Sequence, residues 1–260
     1  MTTAARKGAS RAADIPAPVL QALSRGELPS ATLAEALALD QATLLRTVFP
    51  GLPPAALAAL AAADTACTLG ILKRMDAIAA VLLAHHGAAA IATCRLHAAD
   101  TVRGWACFMI GRQPGLDLPT RLQAIRPLAD DPHFGVREWA WMAVRPHLAA
   151  DLDTAIAHLA AWTDSPSDRL RRFACEALRP RGVWCAHIAA LKREPARMLP
   201  ILAQLRADPS TYVQDSVGNW LNDAAKDQPD WVRQHCAQWQ RDTLGAATAR
   251  ICQRALRNLA

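Results

Sequence analysis

The sequence predicts an all-α fold: an α-solenoid in which helix pairs stack as a single domain, an armadillo-type superhelix. Alanine, leucine and arginine dominate the chain and β-branched residues form no runs, a mix that favours helix. Of the 260 residues 52% are hydrophobic, enough to bury a sizeable core and to set disorder aside. The second half repeats itself at a spacing that suits one helix pair per unit.

In chain order, residues 1–14 read as a flexible basic tail carrying Arg6, Lys7 and Arg11. Residues 15–100 read as helices that cap the stack. Pro16 precedes a helical run, Thr32-x-x-Glu35 has the form of a capping box, Pro53-Pro54 opens another helix, and Gly51 and Gly87 mark breaks. Residues 101–260 hold the repeats. VRGWACFMI begins at Val102, VREWAWMAVRP at Val136, LRRFACEALRP at Leu170, VQDSVGNWLND at Val213 and TARICQRALRN at Thr248. Counting from each anchor, apolar residues fall near offsets 0, 3, 4, 7 and 8, which is one face of an α-helix. Trp105, Trp139 and Trp220 fall on that stripe and read as core. Further helical patterns at 119–128, 150–162 and 198–205 complete the pairs. A single pair cannot bury its stripe, whereas a stack can. The Asp…Val-Arg…Ala pattern resembles the HEAT repeat.

The repeats define columns. Offset 1 gives Arg103, Arg137, Arg171 and Gln214, which read as partners for the aspartate of a neighbouring turn. Offset 9 gives Arg145, Arg179, Asn222 and Arg257, opposite the apolar stripe. Stacking would align them as a polar track, either simply solvated or able to hold a phosphate backbone. Offset 6 gives Met142, Glu176, Asn219 and Arg254, and Asp223 stands at offset 10. Glu176 and Asp223 therefore lie on nearly one face of consecutive equivalent helices. Glu176 also has the spacing to pair with Arg172 or Arg179, and Asp223 to pair with Lys226. Arg179-Pro180-Arg181-Gly182 ends the helix and leaves Trp184 on a loop beside it, unless it is plain core.

The net charge is +6. Residues 1–100 carry eight Lys/Arg against seven Asp/Glu, and the remainder 21 against 16, so the excess base accompanies the repeats. That fits a polyanion partner. Seven scattered cysteines without a CxxC pair indicate a reduced, cytoplasmic chain. No metal site and no cofactor are expected. The N-terminus has no signal-peptide core, and the most apolar region, 65–92, is interrupted by Lys73, Arg74, Asp76 and the His85-His86 pair. No membrane association is expected.

ACEALRPRGVW and DPSTYVQDSVGNWLNDAAKDQPDW resemble AlkC-type DNA alkylation repair proteins, HEAT-repeat DNA glycosylases related to the AlkD type. The resemblance covers roughly residues 131–259. It implies a monofunctional DNA glycosylase that hydrolyses the N-glycosidic bond of cationic N-alkylated purines, such as 3-methyladenine, in double-stranded DNA. It implies Glu176 and Asp223 as catalytic carboxylates, with Trp184 and Trp141 packing on the lesion or sugar. Arg145, Arg179, Arg181, Asn219, Asn222 and Arg257 are the residues expected on the DNA backbone. A further acidic residue of the family falls on Trp141, with Glu138 one turn earlier. Some members add an immunoglobulin-like module, which these 260 residues do not supply. The chain is expected to act as a monomer without an obligate protein partner. The rival readings are a non-catalytic HEAT-repeat DNA-binding protein and a protein–protein scaffold.

Overall fold

The computed structural model describes residues 6–65 and 70–259. Among them the regular structure is helical throughout. The helices are α1 (Ala17–Ser24), α2 (Leu33–Ala38), α3 (Gln41–Val48), α4 (Pro54–Thr65), α5 (Ile71–His86), α6 (Ala89–Arg95), α7 (Asp100–Arg112) and α8 (Leu118–Ala129). They continue with α9 (Phe134–Ala150), α10 (Leu152–Ala160), α11 (Asp168–Glu176), α12 (Ala189–Arg193), α13 (Leu199–Leu205), α14 (Thr211–Ala224), α15 (Pro229–Asp242) and α16 (Ala246–Leu256). The repeat register holds: in all five repeats the residues at offsets 0, 3, 4 and 7 are buried, Trp105, Trp139 and Trp220 among them. No described helix is long and apolar enough to cross a membrane.

Two compact units divide the chain, Met1–Leu116 with Asp131–Ala143 and Asp117–Asp130 with Val144–Ala260. Within the first unit α7, the first repeat helix, packs on α5 and α6.

In the first unit, residues expected in a basic tail are tied down from Arg6 onward; Met1–Ala5 lie outside the described residues. Arg6 donates to both oxygens of Glu35, at 2.7 and 2.6 Å. Glu35 also accepts from the Ala31 and Ala9 amides. Arg6 is the largest influence that lowers the Glu35 pKa, to about 2. The Thr32 side chain accepts from the Glu35 amide as a capping box requires, but Glu35 reaches back to Ala31 instead of to Thr32. Ser30 donates from both its amide and its hydroxyl to Asp100, at 2.8 and 2.6 Å, and His133 Nε2 bonds the Ser30 carbonyl at 2.6 Å. This Ser–His–Asp trio is not a nucleophilic triad: the serine proton goes to the aspartate, and His133 Nδ1 accepts the Gly135 amide. Gly104 lets α7 pack closely, since a Cβ there would lie 2.4 Å from the Trp139 ring.

Two members of the offset-1 column, Arg103 and Arg171, perform the structural task expected of them. Arg103 grips Asp131 with two bonds, at 2.7 and 3.0 Å, and gives Nη1 to the His97 and Ala98 carbonyls. In the second unit Arg171 repeats the pattern with Asp208, at 2.6 and 3.0 Å, and with the Ser165 and Pro166 carbonyls. Each aspartate also accepts an amide two residues on, from His133 and Ser210 respectively. One arginine thus fixes the entrance of its own helix and of the next. Because both partners are largely buried, Asp208→Ala should lower unfolding free energy by about 3 kcal/mol in urea titration. A loss under ~1 kcal/mol would show that the ladder is not a structural spine.

Candidate functional site

The site lies in the second unit, where α14 packs on α11. Amphipathic α11 puts Leu170, Phe173 and Ala174 into the core, and α14 buries Val213, Val217, Trp220 and Leu221. These stripes set the rotation of both helices, and that rotation turns Glu176 and Asp223 towards the same guanidinium. Arg179 Nη1 donates to Glu176 Oε1 at 3.0 Å, and Arg179 Nε donates to Asp223 Oδ2 at 2.9 Å, with Nη2 2.7 Å from the same oxygen. Glu176 Oε2 accepts the Ser216 hydroxyl at 2.6 Å and lies 3.7 Å from Arg172. Arg172 in turn lies over the Tyr212 ring, 4.5 Å from its centroid. Asp223 Oδ1 faces Lys226 Nζ at 3.5 Å.

Both carboxylates are interior, at 5% and 4% exposure. Burial alone would push the Glu176 pKa up; Arg172, Arg179 and the Ser216 hydroxyl outweigh it, and the carboxyl titrates below its ordinary range. Burial likewise opposes the Arg179 charge, but Glu176 and Asp223 raise its pKa further.

The offset-9 column is not the surface track suggested by the sequence. Arg145 is 3% exposed. Its Nη1 donates to the Ala177 carbonyl at 2.7 Å and its Nη2 to the Arg179 carbonyl at 2.6 Å. Nη2 and Nε also donate to the Ala186 carbonyl, at 3.1 and 3.3 Å. Asn222 is buried too, and its side-chain amide donates to the Ala255 carbonyl at 2.9 Å. Both residues cap the carbonyl end of the following repeat helix, where the last turn leaves oxygens without helical partners. A residue bound in this way presents nothing to a phosphate. Arg181 is half-buried and bonds Asp227 at 3.1 and 3.0 Å, Asn219 accepts from Arg254 at 3.0 Å, and Arg257 is exposed.

Trp184 sits on an exposed loop after α11, as the proline and glycine punctuation indicated. Its indole is in the open, at 56% exposure, and its backbone is left-handed with φ 59°, a strained setting for a bulky residue. Arg145 pins the loop at Ala186, and the Ile188 amide closes it onto the Pro180 carbonyl at 3.0 Å. Gly182 makes this possible: a Cβ there would lie 2.5 Å from Cys185 Sγ and 3.1 Å from Arg145 Cζ. Trp141, by contrast, is 1% exposed and donates its indole N–H to Glu138 at 2.8 Å, so it offers no face to a ligand. Sequence reasoning missed Ser216 and the Arg145 staple. Ser216 had a signal, being the polar residue in an offset-3 column otherwise filled by Trp105, Trp139, Phe173 and Ile251.

Residues 118–251 match the family model for DNA alkylation repair enzymes. The uncharacterized protein YhaZ of Bacillus subtilis (strain 168) is 47% identical over 60 residues, 23% of this chain and 17% of YhaZ. The alkylpurine DNA glycosylase AlkC of Pseudomonas fluorescens, solved bound to DNA containing an abasic site analog, superposes with a TM-score of 0.69. It is 25% identical over 94% of this chain and 65% of its own. AlkD2 from Streptococcus mutans gives a TM-score of 0.59 at 21% identity, covering 78% of this chain and 98% of that one. The chain thus spans slightly less than two thirds of the AlkC length and about a sixth of YhaZ.

Since the folded pKa of Glu176 lies below its ordinary 4.5, its charge stabilises the fold above that value. The contribution is lost as pH falls through the lowered folded pKa. Glu176→Gln should therefore cost about 3 kcal/mol at pH 7 by urea denaturation and progressively less below about pH 4.5. A difference that does not vary with pH would contradict the ion-paired state.

Proposed function

We propose that this chain, which belongs to the DNA alkylation repair enzyme family, is a monofunctional DNA glycosylase acting on cationic N-alkylated purines of the 3-methyladenine kind in duplex DNA. The observation that carries the reading is the convergence of Glu176 and Asp223 on Arg179, whose carbonyl shares the Arg145 guanidinium with the loop that carries the strained, exposed Trp184.

An alkylated, positively charged purine is already a good leaving group and needs no strong acid. The C1′–N bond breaks with its electron pair passing to the base, which becomes neutral. Positive charge then develops on the sugar, and a fixed carboxylate beside C1′ stabilises it. Water adds its oxygen to C1′ and gives up a proton, which a carboxylate accepts.

The geometry supports different duties for the two acids. Asp223 Oδ2 is held by Arg179, which leaves Oδ1 to face the sugar and the water, so Asp223 is assigned the catalytic role. Glu176 has both oxygens bonded, to Arg179 and Ser216, and acts by holding Arg179 in place. Trp184 offers its indole face to the charged base or sugar, a gain of about 1–2 kcal/mol. Arg181, Asn219 and Arg257 remain the backbone contacts carried forward from the repeat columns. Recognition of alkylated DNA without bond cleavage is a second reading, favoured by the buried Trp141 where the resemblance places an acid.

Wild-type protein should release 3-methyladenine from methylated duplex DNA in a single-turnover assay. Asp223→Asn should slow release on the order of 100-fold or more, and Glu176→Gln by roughly tenfold, with binding to an abasic-analogue duplex retained. Normal release by both variants would refute the carboxylate mechanism. Trp184→Ala should cost about tenfold on charged lesions, and an unaltered rate would remove the indole from the site.

A further inference from the structure

We infer that Lys226 is a substrate-displaced gate on Asp223: a DNA phosphate seated in the adjoining basic cleft draws the ammonium away and exposes the carboxylate to the reacting sugar. The inference rests on the glycosylase reading of Asp223 given above.

Three observations lead to it. Lys226 Nζ faces Asp223 Oδ1 at 3.5 Å, a charge contact longer than a good hydrogen bond. This is the oxygen that Arg179 does not hold. An ammonium there opposes the step assigned to Asp223, because a like charge beside the developing sugar cation cancels the stabilisation that the carboxylate supplies. It has to leave before chemistry.

Lys226 is also free to move. Its side chain is 48% exposed, whereas that of Arg179 is 12% exposed and bonded to two carboxylates. The lysine stem has several rotatable bonds and a compact head that suits a phosphate as a point charge.

The destination adjoins it. The next residue, Asp227, is already neutralised by Arg181 at 3.0 Å and Lys192 at 3.7 Å. Beside Asp227 lies an open cleft of about 320 Å³ lined by Ala189, Lys192, Arg193, Asp227 and Gln228. Lys192, Arg193 and Arg181 outnumber Asp227, the acid that lines the cleft, so this rim attracts an anion. A phosphodiester fits it better than a small free anion, because the cleft is open and its cations are spread over several residues, which suits an extended polyanion. Lys192 and Arg193, absent from the repeat columns, thereby join the backbone contacts, while Arg145 and Asn222 leave them.

The test is a double-mutant cycle on DNA affinity. Binding of an abasic-analogue duplex is measured by fluorescence anisotropy across a salt series for wild type, Lys226→Met, Asp223→Asn and the double variant. Lys226→Met should reduce the slope of log Kd against log salt by about 0.9, and Lys226→Arg should restore it. Asp223→Asn should tighten binding about threefold while Lys226 is present, because the lysine no longer has to be detached, and by much less in the Lys226→Met background. An unchanged salt slope, or equal tightening in both backgrounds, overturns the gate. The cycle reads binding alone. Absence of base release by wild type would defeat the glycosylase reading, whereas additive affinities with Asp223-dependent release would defeat only the gate.

Discussion

A stack of short helices has to find partners for polar groups at the helix ends, because each helix leaves amides at its start and carbonyls at its finish with no intrahelical bond. In this chain the solution recurs in several of the repeats. The offset-1 arginine closes the entrance of its helix and binds the aspartate that opens the next, as Arg103–Asp131 and Arg171–Asp208 do. The offset-9 residue closes the exit, with Arg145 donating to the carbonyls after α11 and Asn222 to the carbonyl end of α16. Without these ladders the buried apolar faces would still attract one another, but their helix termini would be buried unsatisfied, at a cost of a few kcal/mol each.

Arg179 breaks the rule. It occupies the offset-9 position, yet it bonds Glu176 and Asp223 and caps no carbonyl. Two acids then sit at offsets where no other repeat places an acid. The interior tolerates them because Arg172, Arg179 and the Ser216 hydroxyl compensate the loss of water around Glu176. Departure from a local rule with its compensation supplied nearby is the pattern expected of a working site within a repetitive scaffold.

The same scaffold positions the loop. Arg145 is an ordinary rung of the exit ladder, but its Nε and Nη2 also hold the Ala186 carbonyl and so fix the segment that presents Trp184 in a left-handed conformation. A structural rung and a functional loop thus share one guanidinium. Gly182 allows that approach, and the indole stays open to solvent.

The sequence by itself determined the helical class, the register of five repeats and the arginine–aspartate ladder, because these rest on periodicities along the chain that recur unit after unit. It also placed Glu176 and Asp223 on facing helices and Trp184 on a loop, since helical phase and a proline–glycine stop are local properties. Only the tertiary structure decided that the two acids are buried around one guanidinium, that Arg145 and Asn222 point into carbonyl ends and not towards a partner, and that Trp141 lies in the core. Helical phase tells which side of a helix a residue occupies. Whether that side is covered depends on where the neighbouring helix ends and how the loop returns, and those distances are set by packing between residues 30 to 45 positions apart.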